Sequence, residues 1–153
     1  MQRRIRLTFV ATGESVVADL LDGEAPTTTQ LVWDLLPLEL KPRHGMFSGQ
    51  EVFVLVDAQP MPRENLTTLP LPGEIFYFYD GGESVTSGGK RLGEICLVYG
   101  RGVTLRGPEG QPTSCSLFAR IPGDWKFDWV DFASACRRVR TDGPTPLRIE
   151  RAE

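Results

Sequence analysis

His44 is the chain's only histidine, and Ser48 and Glu51 follow it closely. An imidazole is the one side chain whose ordinary pKa lies near neutrality, so His44 could take up a proton, release one, or hydrogen-bond a ligand. With Glu51 nearby, proton transfer becomes a chemistry the sequence could supply. A loop histidine bonded to backbone accounts for the same residue equally well. Tyr79 and Tyr99 close two apolar runs; phenols at strand ends serve as donors in ligand pockets, although aromatics in such runs commonly belong to the core. Arg106 and Arg120 end or interrupt other apolar runs. An arginine turned inward must meet a carboxylate of the protein or of a ligand, while one turned outward is simply solvated. A shared site requires His44 and an arginine to converge on one cavity. The candidate ligand-binding residues are therefore His44, Ser48, Glu51, Tyr79, Tyr99 and Arg120, and no catalytic residue is assigned.

Other chemistries find no pattern. A Ser-His-Asp triad would have to run through His44, and no Gly-x-Ser-x-Gly elbow is present. Gly88-Gly89-Lys90 does not make a phosphate loop, because the first glycine is wrongly spaced and Arg91 stands where Ser or Thr is required. One histidine and scattered carboxylates form no metal constellation, and no cofactor is expected. Cys96, Cys115 and Cys136 are odd in number and widely spaced. They read as small buried apolar side chains in a reducing cytoplasm. Asn65-Leu66-Thr67 is a formal glycosylation sequon without a secretory signal in MQRRIRLTFV to give it meaning.

Composition narrows the class. Hydrophobic residues at 41% and charged residues at 24% suit a soluble globular protein, and 153 residues suit a single domain spanning 1–153. The net charge of −3 argues against a nucleic-acid partner, and no apolar run is long enough to cross a bilayer.

The elements that would position these residues follow from periodicity. Ile5, Leu7 and Phe9 alternate with Arg4, Arg6 and Thr8, which predicts a half-buried strand over 4–10 that turns near Thr12-Gly13 into a second strand over 15–21. Pro26 sits where a helix can begin without loss, Leu31, Val32, Leu35 and Leu36 give it an apolar stripe, and Pro37 ends it. Residues 38–49 read as irregular, which puts Arg43 and His44 in a loop. Strands are predicted over 51–56, 75–79, 94–99, 103–106 and 114–121, with a short last strand at Leu147 and Ile149. The proline-rich stretch from Pro60 to Gly73 reads as an ordered surface excursion, and residues 80–91 have the glycine and serine content of a mobile loop. A second helix is predicted from about Asp124 to Arg140, with arginines in its last turn and Gly143 placed to stop it. About eight strands and two helices, whose stripes are too narrow to cover the aromatic strands, predict a mostly β fold: a closed barrel capped by the helices.

The run Leu20-Leu21-Asp22-Gly23-Glu24-Ala25-Pro26-Thr27-Thr28, between a hairpin and a helix, resembles the second strand and first helix of cyclophilins. Gly107-Pro108 followed by Ser116-Leu117-Phe118 is a weaker echo of the same fold. The closer resemblance is to a bacterial family of uncharacterised cyclophilin-like proteins, a domain of unknown function. It is carried by Leu-Pro-Leu after the helix, His44 with Ser48-Gly49-Gln50-Glu51-Val52, and the run Asn65 to Gly73. Tyr99-Gly100 and Phe118 to Ile121 extend it. That resemblance implies a cyclophilin-like barrel and no settled reaction. The Phe-His-Arg strand of true cyclophilins is missing; Lys41-Pro42-Arg43-His44 stands in that region, so prolyl isomerisation is not expected.

The expectation is a barrel that binds a small organic ligand or metabolite at its mouth, without demonstrated catalysis. One alternative is an enzyme or enzyme subunit acting on an amide- or lactam-type metabolite, as the wider superfamily implies, with His44 and Glu51 moving protons. Another is a homo-oligomeric structural protein with Trp33, Trp125 and Phe127 as interface anchors.

Overall fold

The computed structural model describes residues 2–57, 59–60, 62–82, 87–107 and 109–152. β1 (Arg4–Phe9) and β2 (Ser15–Leu20) form the predicted hairpin. Ile5, Leu7 and Phe9 are buried while Arg4 and Arg6 face out. Gly13 makes the turn at φ +91°, a left-handed conformation open to glycine at little cost.

Helix α1 (Pro26–Leu35) starts on its proline as expected. Its free N–H groups are met from afar: Glu64, in the proline-rich excursion, accepts from the backbone N–H and the hydroxyl of Thr28. Near its other end, Arg151 donates to the Trp33 carbonyl at 2.8 Å, and Arg3 and Arg151 lie over the Trp33 ring at 4.9 and 4.7 Å. Helix ends leave N–H and C=O groups unpaired, so these distant contacts fix where α1 lies on the sheet. Trp33 is thereby half-covered by its own chain. Trp125 packs against the core, and only Phe127 of the three aromatic anchors is fully open, at 79% exposure.

Two short strands follow, β3 (Leu38–Leu40) and β4 (Arg43–His44), where an irregular segment was expected. Then come β5 (Glu51–Asp57), β6 (Leu66–Thr67), β7 (Glu74–Asp80), β8 (Leu92–Val98) and β9 (Cys115–Arg120), with α2 (Val130–Thr141) and β10 (Leu147–Ala152) closing the chain. The strand predicted over 103–106 does not form; its one pairing is an isolated bridge from Arg106 to Pro112. Residues 124–128 are an irregular turn, in which Asp124 and Asp128 side chains hold backbone N–H groups, so α2 begins six residues later than predicted. Residues 83–86 of the glycine-rich loop and Pro108 of the Gly-Pro echo lie outside the described residues.

All ten strands belong to one antiparallel sheet in the order β3-β10-β1-β2-β9-β7-β8-β5-β4, with β6 also pairing β9. The predicted closed barrel is not what forms. The path has two ends, β3 and β4, and they are joined only by Lys41 and Pro42. Three peptide links span at most about 11 Å, so the sheet curls until its edges are near one another. The chain then switches from pairing β10 to pairing β5. Pro42 has no N–H to give a ladder at that switch, so the hydrogen-bonded ring stays open there.

β5, β7 and β8 are buried on both faces. On one face Val52, Val54, Ile75, Tyr77, Ile95 and Leu97 join the residues of β1, β2, β10 and both helices in the main core. Phe132 of α2 fills its centre, 5.2 Å from Phe9 and 6.4 Å from Trp129 between ring centroids. On the other face Phe53, Phe76, Cys96 and Val98 form a second cluster, covered by Val103 and Leu105 of the segment that did not become a strand.

No described helix is long and apolar enough to cross a membrane. Truncating Phe132 to Ala should cost about 3–5 kcal/mol in urea unfolding, because it opens a cavity at the centre of the core. Phe127→Ser, at the open position five residues earlier, should stay within about 0.5 kcal/mol of the parent.

Candidate functional site

The second face of β5, β7 and β8 carries a concavity of ≈150 Å³. Phe53, Cys96 and Phe76 stand directly opposite one another on β5, β8 and β7, so side-chain register alone lines them up as its floor. Phe78 and Leu105 extend the apolar wall, Thr113 and Arg106 stand at its edge, and Met46 and Phe47 are exposed at 66% and 79% on the rim. The covering segment is held by backbone bonds from Thr104 N–H to the Ser48 carbonyl at 3.1 Å and from Leu105 N–H to the Thr68 carbonyl at 3.0 Å. These bonds also tie the Ser48 loop to the site.

Two carboxyl groups enter this apolar space. Glu51 is 6% exposed, and its Oε2 has no hydrogen-bond partner. Burial pushes its pKa up to about 7, against the pull of a Ser48 hydrogen bond and with a further push from Glu94. Gly45 makes that Ser48 approach possible: a Cβ there would sit 2.5 Å from Ser48 Oγ. Glu94 is 8% exposed, and its pKa too is raised to about 7, first by burial and then by Asp80, while Cys96 and Arg43 pull the other way. Among the described residues its Oε1 accepts only a long contact of 3.8 Å from the Cys96 thiol, a weak donor. A carboxyl that titrates near neutrality can hold a proton, release it, or take up a cation within the physiological range.

The six residues expected to converge do not all do so. Ser48 and Glu51 line the cavity together. His44 is opposite Val52, whose side chain belongs to the main core, so His44 and Glu51 project from opposite faces of the sheet. Proton exchange between His44 and Glu51 is therefore not supported by the geometry. His44 Nδ1 lies 2.9 Å from the Gly45 carbonyl and Nε2 lies 2.6 Å from the Tyr99 hydroxyl. A carbonyl can only accept, so Nδ1 carries the hydrogen and Nε2 receives the Tyr99 O–H. Burial lowers the His44 pKa, with a further push from Arg140 and Arg137 and against the pull of the Gly45 carbonyl. Burial likewise raises that of Tyr99. Tyr79 alternates with Phe78 and lies on the face away from the cavity. Arg120 forms an ion pair with Glu74 at 3.0 Å and is half exposed, and neither it nor His44 lines this cavity. The arginine that does reach the cavity is Arg106.

Glu94 was missed in the sequence. Its signal was present: a charged residue inside a strand whose neighbours are apolar at both odd and even positions. Glu51 has the same signature at the head of β5. Among the described residues no cluster of histidine, cysteine and carboxylate side chains could hold a metal ion.

A family described as "Protein of unknown function (DUF3830)" matches residues 7–150. No curated protein matches the chain. Among solved structures, McbB in complex with tryptophan is similar with a TM-score of 0.67 at 18% identity, the match covering 95% of this chain and 44% of that one. The solution structure of the hypothetical protein AF2241 from Archaeoglobus fulgidus is similar with a TM-score of 0.57 at 17% identity, covering 99% of this chain and 95% of that one. The chain thus spans less than half of the McbB chain, and at these identities the likeness is one of fold.

The two raised carboxyls predict a pH signature. Glu51 binds a proton more tightly in the folded chain than in the unfolded one, so its contribution to stability is fully present below pH 4.5 and is lost as the pH rises to about 7. Glu51→Gln, which cannot ionise, should gain about 2–3 kcal/mol on the parent between mildly acidic and mildly alkaline buffer in denaturant titrations. Parallel stability profiles for parent and variant would show that the carboxyl is not desolvated as described.

Proposed function

The chain belongs to the DUF3830 family, described as of unknown function, and we propose that it binds a small organic molecule in the cavity over β5, β7 and β8. The observation that carries this reading is Glu51: a carboxyl buried to 94%, with one oxygen unpartnered, in an aromatic-walled hollow of ≈150 Å³. That volume is about what an apolar cavity needs to take up benzene. Ligand pockets combine such walls with a few convergent polar groups, here Ser48, Glu51, Glu94 and Arg106. The tryptophan complex of the McbB structure is in keeping with a small-molecule role for this architecture.

This reading keeps the ligand expected from the sequence and moves its site. Ser48 and Glu51 remain; His44, Tyr79, Tyr99 and Arg120 serve the scaffold. A second reading, acid–base catalysis on an amide- or lactam-type substrate, is favoured by one observation, the pair of carboxyls with pKa values near 7. It would run through Glu51 and Glu94 rather than His44.

Screening a library of small metabolites by thermal shift tests the proposal, since a ligand of the folded state raises the melting temperature by mass action. Hits should lose their effect in Thr113→Trp, which fills the cavity edge. The same hits should keep it in His44→Ala, compared through the shift above each variant's own melting temperature. A ligand lost with His44→Ala and kept with Thr113→Trp would place binding elsewhere and overturn the reading.

A further inference from the structure

Resting on that binding site, we propose that its ligand is a compact organic cation, an ammonium or amidinium group on a flat apolar body. The charged nitrogen meets Glu51, and the body lies over the floor of Phe53, Cys96 and Phe76. Three observations converge on this class.

The first is the imbalance of donors and acceptors. Glu51 Oε2 is buried and accepts from nothing. Among the described residues Glu94, on the same face, accepts only the 3.8 Å thiol contact. Ser48 supplies the hydroxyl hydrogen bond to Glu51. The other donors on the lining, Arg106 and Thr113, make no hydrogen bond to either carboxyl among the described residues; a cationic nitrogen brings donors alone, whereas an alcohol or carboxylate adds acceptors of its own.

The second is charge. Glu51, Glu74, Glu94 and Asp80 share this face; Glu74 is paired with Arg120, and the other cations near it among the described residues are Arg43, on the edge strand opposite Phe53, and Arg106, exposed at the mouth. Among the described residues the carboxyls of this face thus outnumber its arginines by one. An anionic ligand would have to enter against two buried carboxylates, and like charges in a desolvated site repel strongly. The third is the wall. Aromatic faces attract cations, the more so when both are removed from water.

Register also fixes the geometry. Glu51 is opposite Val98 and Glu94 is opposite Leu55, four positions apart along β5 or roughly 13 Å. The two carboxyls thus flank the aromatic floor from opposite ends. One nitrogen meets Glu51 directly, and Glu94 acts over a longer range.

Three probes of one shape, benzylamine, benzyl alcohol and benzoate, separate the charge from the ring in calorimetric titrations at pH 8 and low salt. Benzylamine should bind at least ten times more tightly than benzyl alcohol, and benzoate should not bind. Glu51→Gln should reduce benzylamine to the affinity of benzyl alcohol, while Glu94→Gln should have the smaller effect. Glu51→Asp, which keeps the charge, should fall between parent and Glu51→Gln. Benzyl alcohol or benzoate binding as tightly as benzylamine overturns the cation, as does benzylamine affinity unchanged by Glu51→Gln. If either of those two probes binds and Thr113→Trp abolishes it, the cavity stands as a binding site and only the ligand class falls. If no probe binds, the cation proposal falls. The cavity reading falls with it only if the metabolite library also gives no hit that Thr113→Trp removes.

Discussion

Everything that distinguishes this molecule follows from the burial of three neighbouring strands on both faces. β5, β7 and β8 must be covered twice, because each is apolar at both odd and even positions. One cover is substantial: the rest of the curled sheet and both helices close over Val54, Tyr77 and Ile95. The other is thin, consisting chiefly of Val103 and Leu105 on a segment that pairs with the sheet at scarcely any point. A few side chains cannot cover an area laid out by three strands of seven residues. What they leave uncovered is the hollow between Glu51 and Glu94.

The same constraint explains what could be read in the sequence. Strict alternation in β1 and the proline at the head of α1 have local causes, and both elements form where periodicity puts them. The two-sided coverage of β5 was also legible from its unbroken run of apolar residues. β3 and β4 were not, because strands of three and two residues carry no period to detect; their pairing with β10 and β5 is a tertiary event. Closure of the barrel was inferred from the need to hide sheet edges. The fold meets that need differently, with edge strands too short to offer much of a ladder. The late start of α2 has a local cause that helical spacing does not reveal, the Asp124–Asp128 turn.

For the site, a charged residue inside an apolar strand was a better guide than the lone imidazole. His44 drew notice as the only imidazole, yet both its nitrogens are engaged, and it pins the edge strand to Tyr99 at the end of β8. Its chemical versatility is used up by this bonding. One position decides the matter: strand register places His44 with Val52, on the core side, and Glu51 on the other. Sequence proximity put them together, and the pleat separates them.

Glu51 then poses an energetic question that packing alone does not answer. Holding a carboxyl with its pKa near 7 in place of its ordinary 4.5 amounts to about 3 kcal/mol of lost stability once the group is ionised. Glu74, also nearly buried, has both carboxylate oxygens engaged, one by Arg120 and one by the Leu71 N–H. The chain therefore has the means to neutralise a buried carboxylate and does so at one such position on this face. At Glu51 the Ser48 hydroxyl offers one bond and the second oxygen is left bare. Arg106 borders the same hollow without forming an ion pair with either carboxyl. A purely structural carboxylate in such a place is the worst arrangement, since an apolar side chain of equal size would pack without the desolvation cost. On the proposed reading, an arriving donor supplies the partner that the Glu51 Oε2 lacks and offsets the desolvation cost of the carboxylate.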